Sequence, residues 1–133
     1  MMYSPPIIPT ENSLSSKVDL FISCRKLKNM DVFSKSDPVC RVYEWTEKNK
    51  QWTRIGATER LTNNLNPDFK TTIQALYFFE RNQKFKFEVV DDDGSGSFDP
   101  IGSVETTMGS IMGSRAQTYV TDLIGHGKSH SLG

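Results

Sequence analysis

Residues 84–102 read KFKFEVVDDDGSGSFDPIG. The stretch begins by alternating, with Phe85, Phe87 and Val89 on one side and Lys84, Lys86 and Glu88 on the other. That is the period of a strand with one buried face. The odd parity runs on into Asp91 and Asp93, so both carboxylates are expected to leave the strand on its inward side while Asp92 points to solvent. The Gly94-Ser95-Gly96-Ser97 run then reverses the chain and brings Asp99 back ahead of Pro100 and the next strand. One loop thus offers three carboxylates, Asp91, Asp93 and Asp99, to a common centre.

A second acidic loop lies upstream: NMDVFSKSDP, residues 29–38, carries Asp31 and Asp37. Carboxylates gathered at one end of a fold repel each other, and such a site is tolerable when a doubly positive ion fills it, which points to calcium. The alternative is an ordinary solvated acidic turn with Asp-Pro and Asp-Gly chemistry, which the matched spacing on the two loops disfavours. An EF-hand is excluded. Setting Gly94 at the sixth position of that motif makes Val89 the first, and both flanks read as strands.

Working outward, period two also runs from Lys17, with Val18, Leu20, Ile22 and Cys24 on one face. Further strands are predicted at 38–45, 51–59, 69–73 and 101–106, with a seventh at 119–124; 76–81 and 108–112 read as short turns. Connectors rich in Asn, Lys, Gly and Pro separate them, and no amphipathic helix interrupts the series. The fold class is therefore all-β, an antiparallel sandwich. Residues 1–16, with three prolines and no periodicity, read as a disordered leader, and residues 17–133 as one domain.

The 133 residues carry 16 basic and 16 acidic side chains, so a net charge of zero gives no reason to expect nucleic-acid binding. No run approaches the roughly 20 apolar residues of a spanning helix, and the N-terminal stretch lacks a signal peptide's basic start and apolar run, so a cytoplasmic protein is expected. Cys24 and Cys40 have neither metal-ligand nor redox spacing and read as reduced core thiols. His126 and His130 lie in a Gly/Ser-rich tail without a paired base, so no enzymatic activity is expected.

Three motifs resemble one family, the C2 domain. They are Asp31 followed six residues later by Ser36-Asp37-Pro38, then Leu65-Asn66-Pro67 followed by Phe69, then Asp91, Asp93, Asp99 and Ile101-Gly102. Ser16 to Leu20, Phe33 to Pro38, Thr58-Glu59-Arg60 and Tyr77 to Glu80 are similar to the first C2 domain of copines. The resemblance implies an eight-stranded sandwich in the permuted topology, whose last strand would follow Gly127-Lys128-Ser129. With the chain ending at Gly133, that strand is expected to be lacking, leaving an exposed sheet edge and marginal stability or weak edge-mediated association.

The function expected from these residues is calcium-dependent binding of anionic phospholipid membranes. Asp31, Asp37, Asp91, Asp93 and Asp99 would chelate calcium, which cancels their repulsion and bridges to lipid headgroups. Met30, Val32, Phe33 and Phe98 are bulky residues on the same loops and would enter the headgroup region; the alternative is that Val32 or Phe33 folds back as a loop anchor. Lys84 and Lys86 would meet headgroups, although a solvated strand face explains them equally well. Recruitment from the cytoplasm to the plasma membrane or another membrane on a calcium rise follows. The alternative function is a calcium-independent protein-interaction domain that meets its target through the sandwich edge and Tyr77-Phe78-Phe79.

Overall fold

A computed structural model of the chain describes residues 15–29, 35–125 and 128–132. Its strands are β1 (Ser15–Leu20), β2 (Cys24–Arg25), β3 (Pro38–Thr46), β4 (Gln51–Ala57), β5 (Ile73–Phe78), β6 (Lys84–Asp92), β7 (Phe98–Thr107), β8 (Thr121–Gly125) and β9 (Lys128–Leu132). A short helix, α1 (Met108–Met112), follows β7. The strands form two sheets: β1 pairs with β5, and the other seven run in the order β2-β9-β8-β7-β6-β3-β4. Every strand pairing is antiparallel. No helix among the described residues is long and apolar enough to cross a membrane.

The inward residues of both sheets make one core. Phe85, Val89, Val42, Ile101, Leu123, Met108, Cys24 and Cys40 are wholly buried, and Leu20, Ile22, Leu27, Phe69, Ile73 and Phe87 pack with them. The alternation of residues 84–89 is therefore met side chain by side chain. Between Val89 and Val90 the register against β7 shifts, so that Val89 faces Gly102 and Val90 faces Pro100. The extra residue of this bulge, Ile101, is on β7, and β6 keeps its register against β3 up to Asp91; Val89, Val90 and Asp91 are all buried, Val90 being covered as well although it has the opposite parity. Both cysteines are free, and burial pushes the Cys24 thiol up to about 12 and raises Cys40 as well, so neither is a ready nucleophile.

Besides the break of the strand read from Lys17 to Cys24 into β1 and β2, which lie in different sheets, two elements differ from the sequence expectation. The strand expected at 69–73 lies at Ile73–Phe78 instead, taking in half of the stretch read as a turn. Its place is set by β1, against which it runs from Leu20↔Ile73 to Ser15↔Phe78. Phe69 is buried without being in a strand: the Phe69 N–H is donated to the Ile22 carbonyl at 3.1 Å beside an isolated Ser23↔Asp68 bridge. Residues 108–112 form α1, capped by Thr107, whose Oγ1 accepts from the Ser110 N–H at 3.1 Å.

The second difference is at the tail, where the strand following Gly127-Lys128-Ser129 is expected from the sequence to be lacking. Residues Lys128–Leu132 do form one, β9, pairing with β8 and with β2. A hairpin gives it an immediate partner: Gly125 pairs with Lys128, so few residues are needed to build it. Glycine is required at that corner. A Cβ on Gly125 would stand 2.7 Å from both the Gly102 Cα and the Ile101 carbonyl oxygen. β9 joins the seven-stranded sheet, however, and among the described residues the β1–β5 sheet has two strands. The expectation of a disordered leader falls almost wholly on residues 1–14, which lie outside the described residues.

Candidate functional site

Three connections meet at one end of the sandwich: the segment before β3, the 58–72 connection between β4 and β5, and the β6–β7 loop. Asp37 is the hub. Its N–H is donated to Asp91 Oδ1 at 2.8 Å, and its carbonyl accepts the Asp92 N–H at 3.0 Å, so the first and third loops hold each other reciprocally. The Asp37 carboxylate in turn accepts the Asn63 N–H at 2.7 Å. Asn63 sits at φ +52°, a left-handed conformation that Asn tolerates better than most residues.

The middle connection clamps the first loop from below. Asn64 N–H is donated to Ser36 O at 3.0 Å, and Leu27 N–H to Leu65 O at 2.9 Å. Asn66 Oδ1 accepts from Lys26 N–H at 2.9 Å. Ser36 is buried, and its hydroxyl donates to Lys28 O at 3.1 Å. Leu65-Asn66-Pro67 is thus the seat of the loop before β3.

The β6–β7 loop carries its own three carboxylates differently. Asp91 is 1% exposed, and burying a carboxylate that far is costly unless hydrogen bonds or positive charge compensate it. Asp99 stands opposite Asp91 in the β6–β7 ladder, and Phe98 opposite Asp92. Asp92 is a turn residue, its Oδ1 accepting the Gly94 N–H at 2.9 Å. Asp93 follows the end of β6 and is exposed. The Ser95 hydroxyl (2.6 Å) and N–H (2.9 Å) both donate to its Oδ1 and hold its carboxyl below the ordinary range, with the Arg60 charge adding to the effect.

Arg60 and Asn63 were not singled out as neighbours of the acidic loops by the sequence reading. Arg60 Nη1 donates to the Asp92 carbonyl at 3.2 Å and lies against Gly94. Only the nearby Leu-Asn-Pro turn signals that this connection folds up beside the acidic loops. Asp31, Met30, Val32 and Phe33 lie outside the described residues. Among the described residues, no group of three or more acidic, His or Cys side chains is arranged to hold a metal ion.

Along β3, β4 and β6, toward the end of the strands away from these loops, lies a face of rings and cations. Lys86 Nζ stands 5.0 Å over the Tyr43 ring and 5.1 Å over Trp52, and Lys84 Nζ 5.3 Å over Trp45. The Arg41 guanidinium lies 4.1 Å over Phe98, which is 44% exposed. At the opposite edge, Tyr77 and Phe79 pack edge to face at 4.9 Å, Arg81 covers Phe78, and Phe79 is exposed.

Residues 20–123 match the model of one protein family, the C2 domain. The chain belongs to that family. This C2 domain is 43% identical over 121 residues to Copine-E of Dictyostelium discoideum, covering 87% of this chain and 21% of that protein. It therefore spans about a fifth of the length of the curated relatives it matches. Among solved structures it is similar to BON1-C2B, with a TM-score of 0.67, 21% identity, and coverage of 90% of this chain and 88% of that one. It is also similar to the calcium-bound pair of C2 domains of Extended-Synaptotagmin 2, with a TM-score of 0.59, 20% identity, and coverage of 89% and 44%. At these identities the likeness to the solved structures speaks for the fold.

Proposed function

We propose that this C2 domain is a calcium-dependent module for anionic phospholipid membranes, with its cation held between the loop before β3 and the β6–β7 loop. The observation that supports the reading is the reciprocal pair of hydrogen bonds by which the Asp37 backbone N–H meets the Asp91 carboxylate and the Asp37 carbonyl accepts the Asp92 N–H, joining the two acidic segments. The donors assigned to it in this reading, Asp37, Asp91 and Asp99 with neighbouring carbonyls, are hard oxygens of the kind calcium takes. Asp31 completes the set from the first loop. Asp93 joins by releasing Ser95. Calcium supplies positive charge and open coordination positions for lipid oxygens.

The chain's own residues do the rest. Asn63 holds the Asp37 carboxylate through its N–H, and Ser36 ties the segment just before β3 to Lys28, so Asp37 is prepositioned. Phe98, with Met30, Val32 and Phe33, supplies apolar contact at the headgroup level. Arg41, over Phe98 and 3.7 Å from Glu88, would offer a cation to an anionic headgroup beside that ring. Lys84 and Lys86, steadied over Trp45, Tyr43 and Trp52, form a second basic surface for headgroups. Whatever longer protein carries such a domain would thereby be drawn to membranes when calcium rises. Cosedimentation with vesicles containing phosphatidylserine tests this: the protein should pellet with calcium and return to the supernatant with chelator. Equal recovery with and without chelator would contradict it.

A further inference from the structure

The connection between β4 and β5 sends one cation to the acidic end of the sandwich. Its start is fixed to β3 on both sides of Arg60: Thr58 N–H is donated to Cys40 O at 2.8 Å, and Leu61 N–H to Pro38 O at 3.2 Å. The neighbouring Glu59 carboxylate is engaged elsewhere, accepting the Lys70 and Thr71 N–H groups at 2.8 and 3.1 Å. Arg60 reaches across to the β6–β7 loop instead, where Nη1 donates to the Asp92 carbonyl at 3.2 Å. Glycine makes the approach possible. A Cβ on Gly94 would stand 2.7 Å from that nitrogen, so the guanidinium fills the space any other side chain would need.

The carbonyl it holds belongs to the residue between Asp91 and Asp93, two of the carboxylates assigned to calcium. Asp92 is gripped from both sides, its N–H by the Asp37 carbonyl at 3.0 Å and its carbonyl by Arg60. The charge also reaches Asp93, whose carboxyl is lowered first by its bonds to Ser95 and further by Arg60. A guanidinium and a calcium ion ask the same of such a place, a hard oxygen with negative charge around it. Held there together, the two cations repel each other.

We propose that Arg60 is the resident cation of the acidic loops: in the calcium-free domain its guanidinium supplies positive charge at the Asp92 carbonyl, and calcium binds against it. Only the second half rests on the calcium reading above. Thermal unfolding in chelator and in excess calcium, with calorimetric calcium titration, tests both halves in the 133-residue protein, Arg60→Gln and Arg60→Lys. In chelator Arg60→Gln should melt about 3 °C lower, a small shift because the side chain is exposed, and Arg60→Lys, which keeps the charge, should recover most of it. In calcium the deficit of Arg60→Gln should close, and that variant should bind calcium about threefold more tightly, one repelling charge being gone. Arg60→Lys should keep the affinity of the unsubstituted protein. Equal melting of all three proteins in chelator would overturn the proposal. So would weaker calcium binding by Arg60→Gln, which would make Arg60 a brace for the loop and not a competitor of the ion. If no protein responds to calcium while the deficit in chelator and its rescue by lysine persist, the calcium reading falls and the resident cation stands.

Discussion

Asp91→Asn is expected to reduce calcium-driven recovery on phosphatidylserine vesicles at least tenfold while leaving the fold in place. The amide keeps an oxygen that can accept the Asp37 N–H, so the link between the two loops persists. What it loses is the carboxylate buried between them, and a charged hydrogen-bonding or ligand oxygen is worth about 1.5–3 kcal/mol, on the order of a tenfold change or more. The neighbouring Asp92→Asn is the matched control. Asp92 serves its turn through an oxygen that accepts the Gly94 N–H, which an amide reproduces, so its vesicle binding should stay close to that of the unsubstituted protein. Equal loss in the two variants, or none in Asp91→Asn, would show that the buried carboxylate has no special part in binding.

Phe85→Ala is expected to be the most destabilising of the single substitutions in β6. The ring is wholly buried at the centre of the core, and removing it costs about 3–5 kcal/mol for lost burial and the cavity left behind. Domains of this size hold only about 5–15 kcal/mol in total, so the midpoint of urea unfolding should fall sharply and part of the population should be unfolded without denaturant. Because Phe85 and Asp91 share β6, vesicle binding should fall in proportion to the folded fraction and no further. A midpoint within the error of the unsubstituted protein would mean that the core is not organised around this strand.

Much of this was legible because the β6 sequence is nearly ideal: Phe85, Phe87 and Val89 alternate cleanly, and that parity led correctly to a buried Asp91. It failed two residues later for a local reason. β6 ends at Asp92, and beyond the strand Asp93 turns outward to Ser95. The position of β5 was not legible either. Phe69 is apolar and follows a Leu-Asn-Pro turn, yet it is buried through one backbone bond to Ile22, while the strand itself is chosen by its register against β1. Such register is a long-range property that local pattern does not carry. Arg60 and Asn63 escaped notice for the same reason. They sit in a connection that looks unremarkable until the fold sets it beside the acidic loops.

Calorimetric titration of calcium into the protein tests the central claim most directly, because it asks whether the acidic loops take the cation before any membrane is involved. A saturable heat is predicted below about 1 mM calcium, within the range of the weaker calcium modules, and it should be lost or strongly weakened in Asp91→Asn. No heat up to that concentration would contradict the account.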